Sequence, residues 1–174
     1  ARRMVLTSTY EVADLIDDAD KVRLLTDPSS TYAKAMAGAM GRAMDDAIIS
    51  SATGDALTGK TGASSVSLSN TIAHGSTGLT IAKLVEAKKK LDEGNVDPTI
   101  ARYIAVSPEQ IEDLLNNTTV TSSDFNTVKA LAQGDIDTFV GFKFIVTNRL
   151  GTSGGARNCF AWAEDGLLLG VGKN

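Results

Sequence analysis

The stretch Asp27 to Ser51, DPSSTYAKAMAGAMGRAMDDAIISS, decides how the rest of the chain is read. It reads as one long helix. Asp27 caps it, and Pro28 fits the first turn, where a missing N–H leaves nothing unbonded. Steps of four residues align Tyr32, Met36, Met40, Met44 and Ile48 in one stripe, with Ala35, Ala39, Ala43 and Ala47 beside it. Lys34, Gly38, Arg42 and Asp46 make a third, polar stripe. Gly38 and Gly41 lie mid-helix, where each costs ~1 kcal/mol against Ala. That loss suits close approach by another backbone, so the pattern predicts a helix pressed on by neighbours over much of its surface. Full burial of each Met or Ile would contribute ~1.5–3 kcal/mol. An ordinary core helix is sufficient for this segment taken alone.

Length and composition frame what surrounds that helix. A chain of 174 residues normally makes one domain, or one compact body with an appendage. A hydrophobic content of 43% suffices for a core, and 16 glycines announce many turns and close approaches. The net charge of −4 argues against a nucleic-acid-binding patch. Lys88, Lys89 and Lys90 are balanced by Glu86, Asp92 and Glu93, as on a solvated helix face. The single cysteine, Cys159, sits in an apolar run and reads as a buried thiol, so no disulfide framework forms within one chain. A reducing compartment fits. The longest charge-free run, Thr61 to Ala82, is too rich in Ser, Thr and Gly to be a membrane helix.

Around the long helix the elements alternate in type. Arg3 to Val12 reads as a strand, with Met4, Leu6, Ser8, Tyr10 and Val12 on one face and no hairpin partner nearby. The acidic cluster Asp14, Asp17, Asp18 and Asp20 lacks the spacing of a calcium loop and reads as salt-bridged or solvated. Val66, Leu68 and Ile72 suggest a hairpin or irregular strand pair. A helix runs from Thr80 to Glu93, capped by Thr80 and stopped by Gly94. Arg102 to Ser107 is a buried strand, and Ser107, Pro108 and Gln110 open a helix through Leu115. Another helix covers Asp124 to Ala132. Ile136 to Thr147 reads as two strands around Gly141, followed by a glycine-rich loop and a strand at Cys159 to Ala163. Helices and strands in this order predict an α+β fold, a sheet with helices beside it.

Motifs for chemistry are few. Gly54-Asp-Ala-Leu-Thr-Gly-Lys-Thr61 matches the P-loop pattern letter for letter. A P-loop needs a strand before it and a helix after it, so that backbone N–H groups and a helix N-terminus cradle phosphate. Here the long helix precedes, and Gly62 to Ser69 is a poor helix. The segment reads as a turn; a nucleotide-binding enzyme using Lys60 and Thr61 is the rival reading. His74 is the only histidine and lies in a loop-like Ala-His-Gly-Ser. No C-x-x-C or H-E-x-x-H occurs. The sequence therefore assigns no catalytic residue, no cofactor and no metal.

The succession resembles the major capsid proteins of tailed phages, with the Hong Kong 97-like fold. The matching pieces are Arg23 to Ala35 entering the long helix, Met44 to Ile48, Gly54 to Gly62, and Gly75 to Thr80. Ala105 to Ile111, Leu131 to Phe142 and Asn158 to Trp162 complete them. Each piece alone is weakly specific; their order and spacing cover nearly the whole chain. The resemblance implies a returning half of an extended loop in residues 1–26. It implies a peripheral-domain spine helix and hairpin in 27–78, and an axial domain with a mixed sheet flanked by helices in 79–174. It further implies family segments before and after these residues, including a C-terminal return strand. The function implied is self-assembly into hexamers and pentamers of an icosahedral head in the virion, built in the bacterial host cytoplasm. Packaged double-stranded DNA would lie on the inner face without sequence-specific contact, and no membrane would be involved. Portal, scaffolding and decoration proteins are the further partners implied. A cellular nanocompartment shell of the encapsulin type is the rival of the same fold. Residues expected at contacts between subunits are Met4, Leu6, Tyr10, Gly38, Met40, Gly41, Arg42, Arg149 and Arg157, with the turn from Arg149 to Arg157 at the axial tip.

Overall fold

The computed structural model describes residues 8–13, 29–58, 62–116, 127–130 and 137–172. The long helix, α1, is Ser29–Thr53. It ends where Gly54 donates its N–H to Ser50 O at 2.9 Å. Hydroxyls assist that ending: Ser51 Oγ donates to Ala47 O at 2.6 Å and Thr53 Oγ1 to Ile49 O at 2.9 Å. These hydroxyls bond back to carbonyls one turn earlier that already accept within the helix, as Ser and Thr do near helix ends. The chain then turns into a small antiparallel pair, β1 (Ala56–Thr58) and β2 (Ser64–Val66). Leu68 and Ile72, expected to extend that pair, lie in irregular chain. Residues 8–12, expected within a strand, are exposed and belong to no strand; the rest of that segment and the acidic cluster lie outside the described residues.

The second half carries the core. Helix α2 (Ile81–Glu93) begins at Thr80, whose hydroxyl accepts from Lys83 N at 3.3 Å. Its end is a Schellman motif: Asn95 N donates to Asp92 O at 3.0 Å and Val96 N to Leu91 O at 3.2 Å. The left-handed residue of that motif is Asn95, with φ of 57°, while Gly94 stays at −76°. Strand β3 (Arg102–Val106) leads into α3 (Pro108–Asn116) through a capping box. Ser107 N and Ser107 Oγ both donate to Gln110 Oε1, at 2.8 and 2.6 Å, and both residues are buried. Residues 127–130 are helical.

Strands β4 (Thr138–Phe139) and β5 (Phe142–Val146) form a hairpin around Val140 and Gly141, both at positive φ. That is the turn geometry matching the natural twist of a two-residue hairpin. A second such hairpin joins β6 (Thr152–Ser153) to β7 (Ala156–Arg157) through Gly154 and Gly155, also both at positive φ. Strand β8 (Phe160–Ala163) and a 3₁₀ turn, Glu164–Gly166, follow.

The main sheet has the order β4-β5-β3-β8, with β3 and β5 parallel and the other pairs antiparallel. Alternation along β3 and β5 sends Ile104, Val106 and Phe142 to one face. There they meet Leu84 of α2, Ile111 and Leu114 of α3, Val128 and Phe139. Leu84, Val106, Leu114, Val128 and Phe142 are wholly buried. This is an α+β fold with the helices gathered against one face of a mixed sheet.

Candidate assembly interface

Helix α1 does not join that core. From Thr31 to Thr53 no residue is fully buried. Met36, Met40, Met44 and Ile48 are half-buried, and Tyr32 at the head of their stripe is 44% exposed. The glycines expected to admit a close neighbour are open. A Cβ on Gly41 would meet nothing within 4 Å, and one on Gly38 would meet only Arg42 Nη1, at 3.3 Å. Among the described residues of the single chain, the neighbours expected to press on this helix are not found, and the two glycines gain no packing from them.

A bidentate ion pair ties α1 to the second half. Arg149 Nε donates to Asp46 Oδ1 at 2.6 Å, and Arg149 Nη2 donates to Asp46 Oδ2. These hydrogen bonds hold the Asp46 carboxyl below its ordinary range and push the Arg149 guanidinium up. Arg157 is likewise engaged at home. Its Nη1 donates to Leu150 O at 3.2 Å, and its Nε lies 3.3 Å from Glu109 Oε2. Both arginines expected at subunit contacts thus have partners in their own chain, and Arg149 sits beside α1. Arg42 and Tyr10 are exposed. Met4 and Leu6 lie outside the described residues.

The motifs weighed for chemistry fall out as follows. Strand β1 occupies the middle of the P-loop match, and Gly54 closes a helix rather than opening one. No phosphate cradle forms from that arrangement; Lys60 and Thr61 lie outside the described residues. His74 is in an exposed turn, its Nδ1 accepting from Ser76 N at 3.0 Å, while Lys83 Nζ donates to His74 O and Gly78 O. Cys159 is half-buried, and its thiol is pushed up to about 11, chiefly by burial. A protonated, sheltered thiol is a poor nucleophile. Among the described residues no group of three or more His, Cys, Asp or Glu could hold a metal ion. Nor, among them, is any helix long and apolar enough to cross a membrane.

Two features escaped the sequence reading. On the sheet face away from the helices, Phe160 stacks on Trp162 at 5.1 Å and Trp162 on Tyr103 at 5.7 Å. Lys143 Nζ caps the row 5.9 Å from the Tyr103 ring. Alternation within Phe160–Ala163 and Arg102–Val106 carried that signal, but only strand pairing puts the rings together. The second is the buried Arg102, whose Nη2 donates to Asp92 Oδ1 at 2.5 Å across ten residues. A charged residue opening a buried strand was its only trace.

Comparison with known proteins identifies the class first. The family model described as phage capsid protein matches residues 1–174, the whole chain. This protein belongs to the phage capsid protein family, and its role is that of a structural component of the virion. No curated protein matches the chain. A solved structure from Mycobacterium phage Che8 is similar over 81% of this chain and 48% of its own, at 24% identity and a TM-score of 0.49. The capsid structure of the Cyanophage P-SCSP1u is similar over 82% of this chain and 49% of its own, at 23% identity and a TM-score of 0.49. The chain spans about half the length of these solved structures.

Proposed function

We propose that this chain belongs to a major capsid protein with the Hong Kong 97-like fold. It assembles through copies of itself into hexamers and pentamers of an icosahedral head enclosing double-stranded DNA. Residues 27–78 act as the peripheral unit with α1 as its spine, and 79–174 as the axial unit. Residues 1–26 serve as the returning part of an extended loop laid on a neighbouring subunit. Assembly takes place in the bacterial host cytoplasm, with portal, scaffolding and decoration proteins as partners. DNA meets the inner face through its backbone charge alone.

One observation carries this reading: a 25-residue helix whose methionine stripe is only half-buried and whose Gly41 meets no neighbour among the described residues. Apolar stripes along helices are normally matched by a partner surface. In a closed shell, modest contacts repeated by symmetry supply that surface in every copy. The net charge of −4 also suits a container, since adhesion to DNA grows with the phosphates neutralised by Lys and Arg. Electron microscopy of the full-length protein tests the reading. Closed shells with packaged DNA or a tail portal are expected. Shells filled with protein cargo would make it a nanocompartment protein, and a persistent monomer would refute the assembly reading.

A further inference from the structure

At one end of the main sheet a cleft of about 850 Å³ opens between α2, the loop after it and the β4–β5 turn. Its walls carry Lys88, Arg102 and Lys143 against Asp92 and Asp97, three cations to two carboxylates in a chain that is acidic as a whole. Arg102 forms its floor. The side chain is only 5% exposed, and its Nη2 is satisfied by Asp92 Oδ1 and, at 3.4 Å, by Val96 O. Its Nε and Nη1 are buried and have no acceptor among the described residues. A buried cation so incompletely paired is costly, and a further negative charge near it lowers that cost. Lys88, exposed, stands on the α2 wall, and Lys143, also exposed, lines the β5 side with its Nζ toward the Tyr103 ring.

The same end of the sheet carries the complement on its other side. Strand β8 pairs with β3 so that Ala163 faces Arg102, and Glu164 N donates to Ala101 O at 2.9 Å. The 3₁₀ turn Glu164–Gly166 therefore projects from the β8 edge, with Glu164 and Asp165 exposed. Strand β5, bearing Lys143, lies on the opposite flank of β3, two strand spacings or about 10 Å away. A subunit with a basic cleft on one flank and an acidic turn on the other is built for head-to-tail contact. Repeated about an axis, such a contact closes a ring.

We infer that the Lys88–Arg102–Lys143 cleft receives the Glu164–Asp165 turn of a second copy of this chain, fixing neighbours side by side around a symmetry axis. The inference rests on the assembly reading above and names a contact within it. A protein carboxylate suits the cleft better than a DNA phosphate. Asp92 and Asp97 share its wall, and a run of phosphates would meet them as like charges. A single acidic turn fits between them and the cations, and the guanidinium–carboxylate pairing favours it.

Charge exchange in the full-length protein tests this. Glu164→Lys with Asp165→Lys, and separately Lys88→Glu with Lys143→Glu, should each raise the subunit concentration needed for assembly by about tenfold or more. All four substitutions in one chain should restore assembly, since both sides of every contact are then reversed. All these side chains are exposed, so thermal unfolding of the unassembled subunit should move little, by no more than the loss of the Lys143–Tyr103 contact. Assembly of either double variant at the wild-type concentration overturns the inference alone. Wild-type protein that never assembles overturns the assembly reading and the inference together. Normal shells from Lys88→Glu with Lys143→Glu that fail only to retain DNA would assign the cleft to phosphate and also overturn it. A second measurement is independent of charge. Thr138→Cys with Asp165→Cys should cross-link neighbouring subunits on oxidation, because the two sites lie too far apart to bridge within one chain. Monomers alone on a denaturing gel of oxidised shells would refute the contact.

Discussion

Met40→Asp separates folding of the chain from association between chains. Met40 sits mid-way along α1, half-buried, in a stripe with Met36, Met44 and Ile48. Within one chain the change sacrifices half of the ~1.5–3 kcal/mol that full burial would give, plus ~0.5 kcal/mol of helix propensity. The subunit should therefore lose only about 1–2 kcal/mol and stay folded. Between chains the accounting differs. The substitution removes the remaining apolar contact and places a carboxylate where no acceptor-satisfying donor waits, a penalty of at least ~2 kcal/mol per contact, or about 30-fold in association. Every subunit carries the lesion, so shells should vanish at concentrations where wild type assembles. Sedimentation velocity of the full-length protein reads the assembly, and thermal unfolding of the unassembled subunit reads the fold. Met40→Leu, which conserves volume and polarity, should leave both unchanged. Unfolding of the subunit by Met40→Asp would make the stripe a core element of the single chain. Shells forming at the wild-type concentration would show that the stripe faces no neighbour.

Three further outcomes follow from local geometry. Gly78 has φ of +63°, and a methyl there would strike the Asp113 carboxylate, whose Oδ2 accepts from Leu79 N at 3.0 Å. Gly78→Ala should cost ~1–3 kcal/mol by urea unfolding, while Gly151→Ala, with open space around it, should be near neutral. Asp46 titrates below its ordinary 3.8, chiefly because Arg149 donates hydrogen bonds to it. A depressed folded pKa stabilises the fold above about pH 4 and loses that contribution as pH falls through the lower value. Arg149→Ala should return the Asp46 midpoint in an NMR titration toward 3.8; an unchanged midpoint would mean that the pair does not form in solution. Cys159, with its thiol pushed up to about 11, should react with iodoacetamide at pH 8 far more slowly than a free thiol. It should become fully reactive only on unfolding, and rapid modification of the folded chain would refute its burial.

What was legible in the sequence was what neighbouring residues encode. Thr80, Ser107 and Gln110 announce their helices because a cap is a bond between residues three apart. Gly141 announces its hairpin because a positive φ is a property of one or two positions, whereas Gly154 and Gly155 announced only a loop where the chain makes a second hairpin. What was hidden depends on residues distant in the chain. The parallel pairing of β3 with β5 brings Tyr103 opposite Lys143, and β8 on the other flank brings Trp162 opposite Tyr103. No periodicity states those registers, so the aromatic row and the cleft at Arg102 could not be seen. The partner of Arg149 within the chain was hidden for the same reason: Asp46 is 103 residues away.

The helix pattern was legible in another sense, because it describes a need the single chain leaves unmet. A sequence under selection only for its own fold would place Ala at Gly38 and Gly41, where each Gly costs ~1 kcal/mol and a Cβ on Gly41 would meet nothing within 4 Å among the described residues. It would also have little reason to space Met36, Met40, Met44 and Ile48 by four along a helix that contributes no residue to the buried core cluster. Stripe and glycines make physical sense together when a second surface lies along α1, close to its backbone at the glycines and apolar at the methionines. Replacing both glycines by Ala is therefore expected to stabilise the isolated subunit by about 1–2 kcal/mol while weakening association. Gains in both thermal stability and assembly would show that no backbone comes near α1 in the shell, and the argument from the glycines would fall.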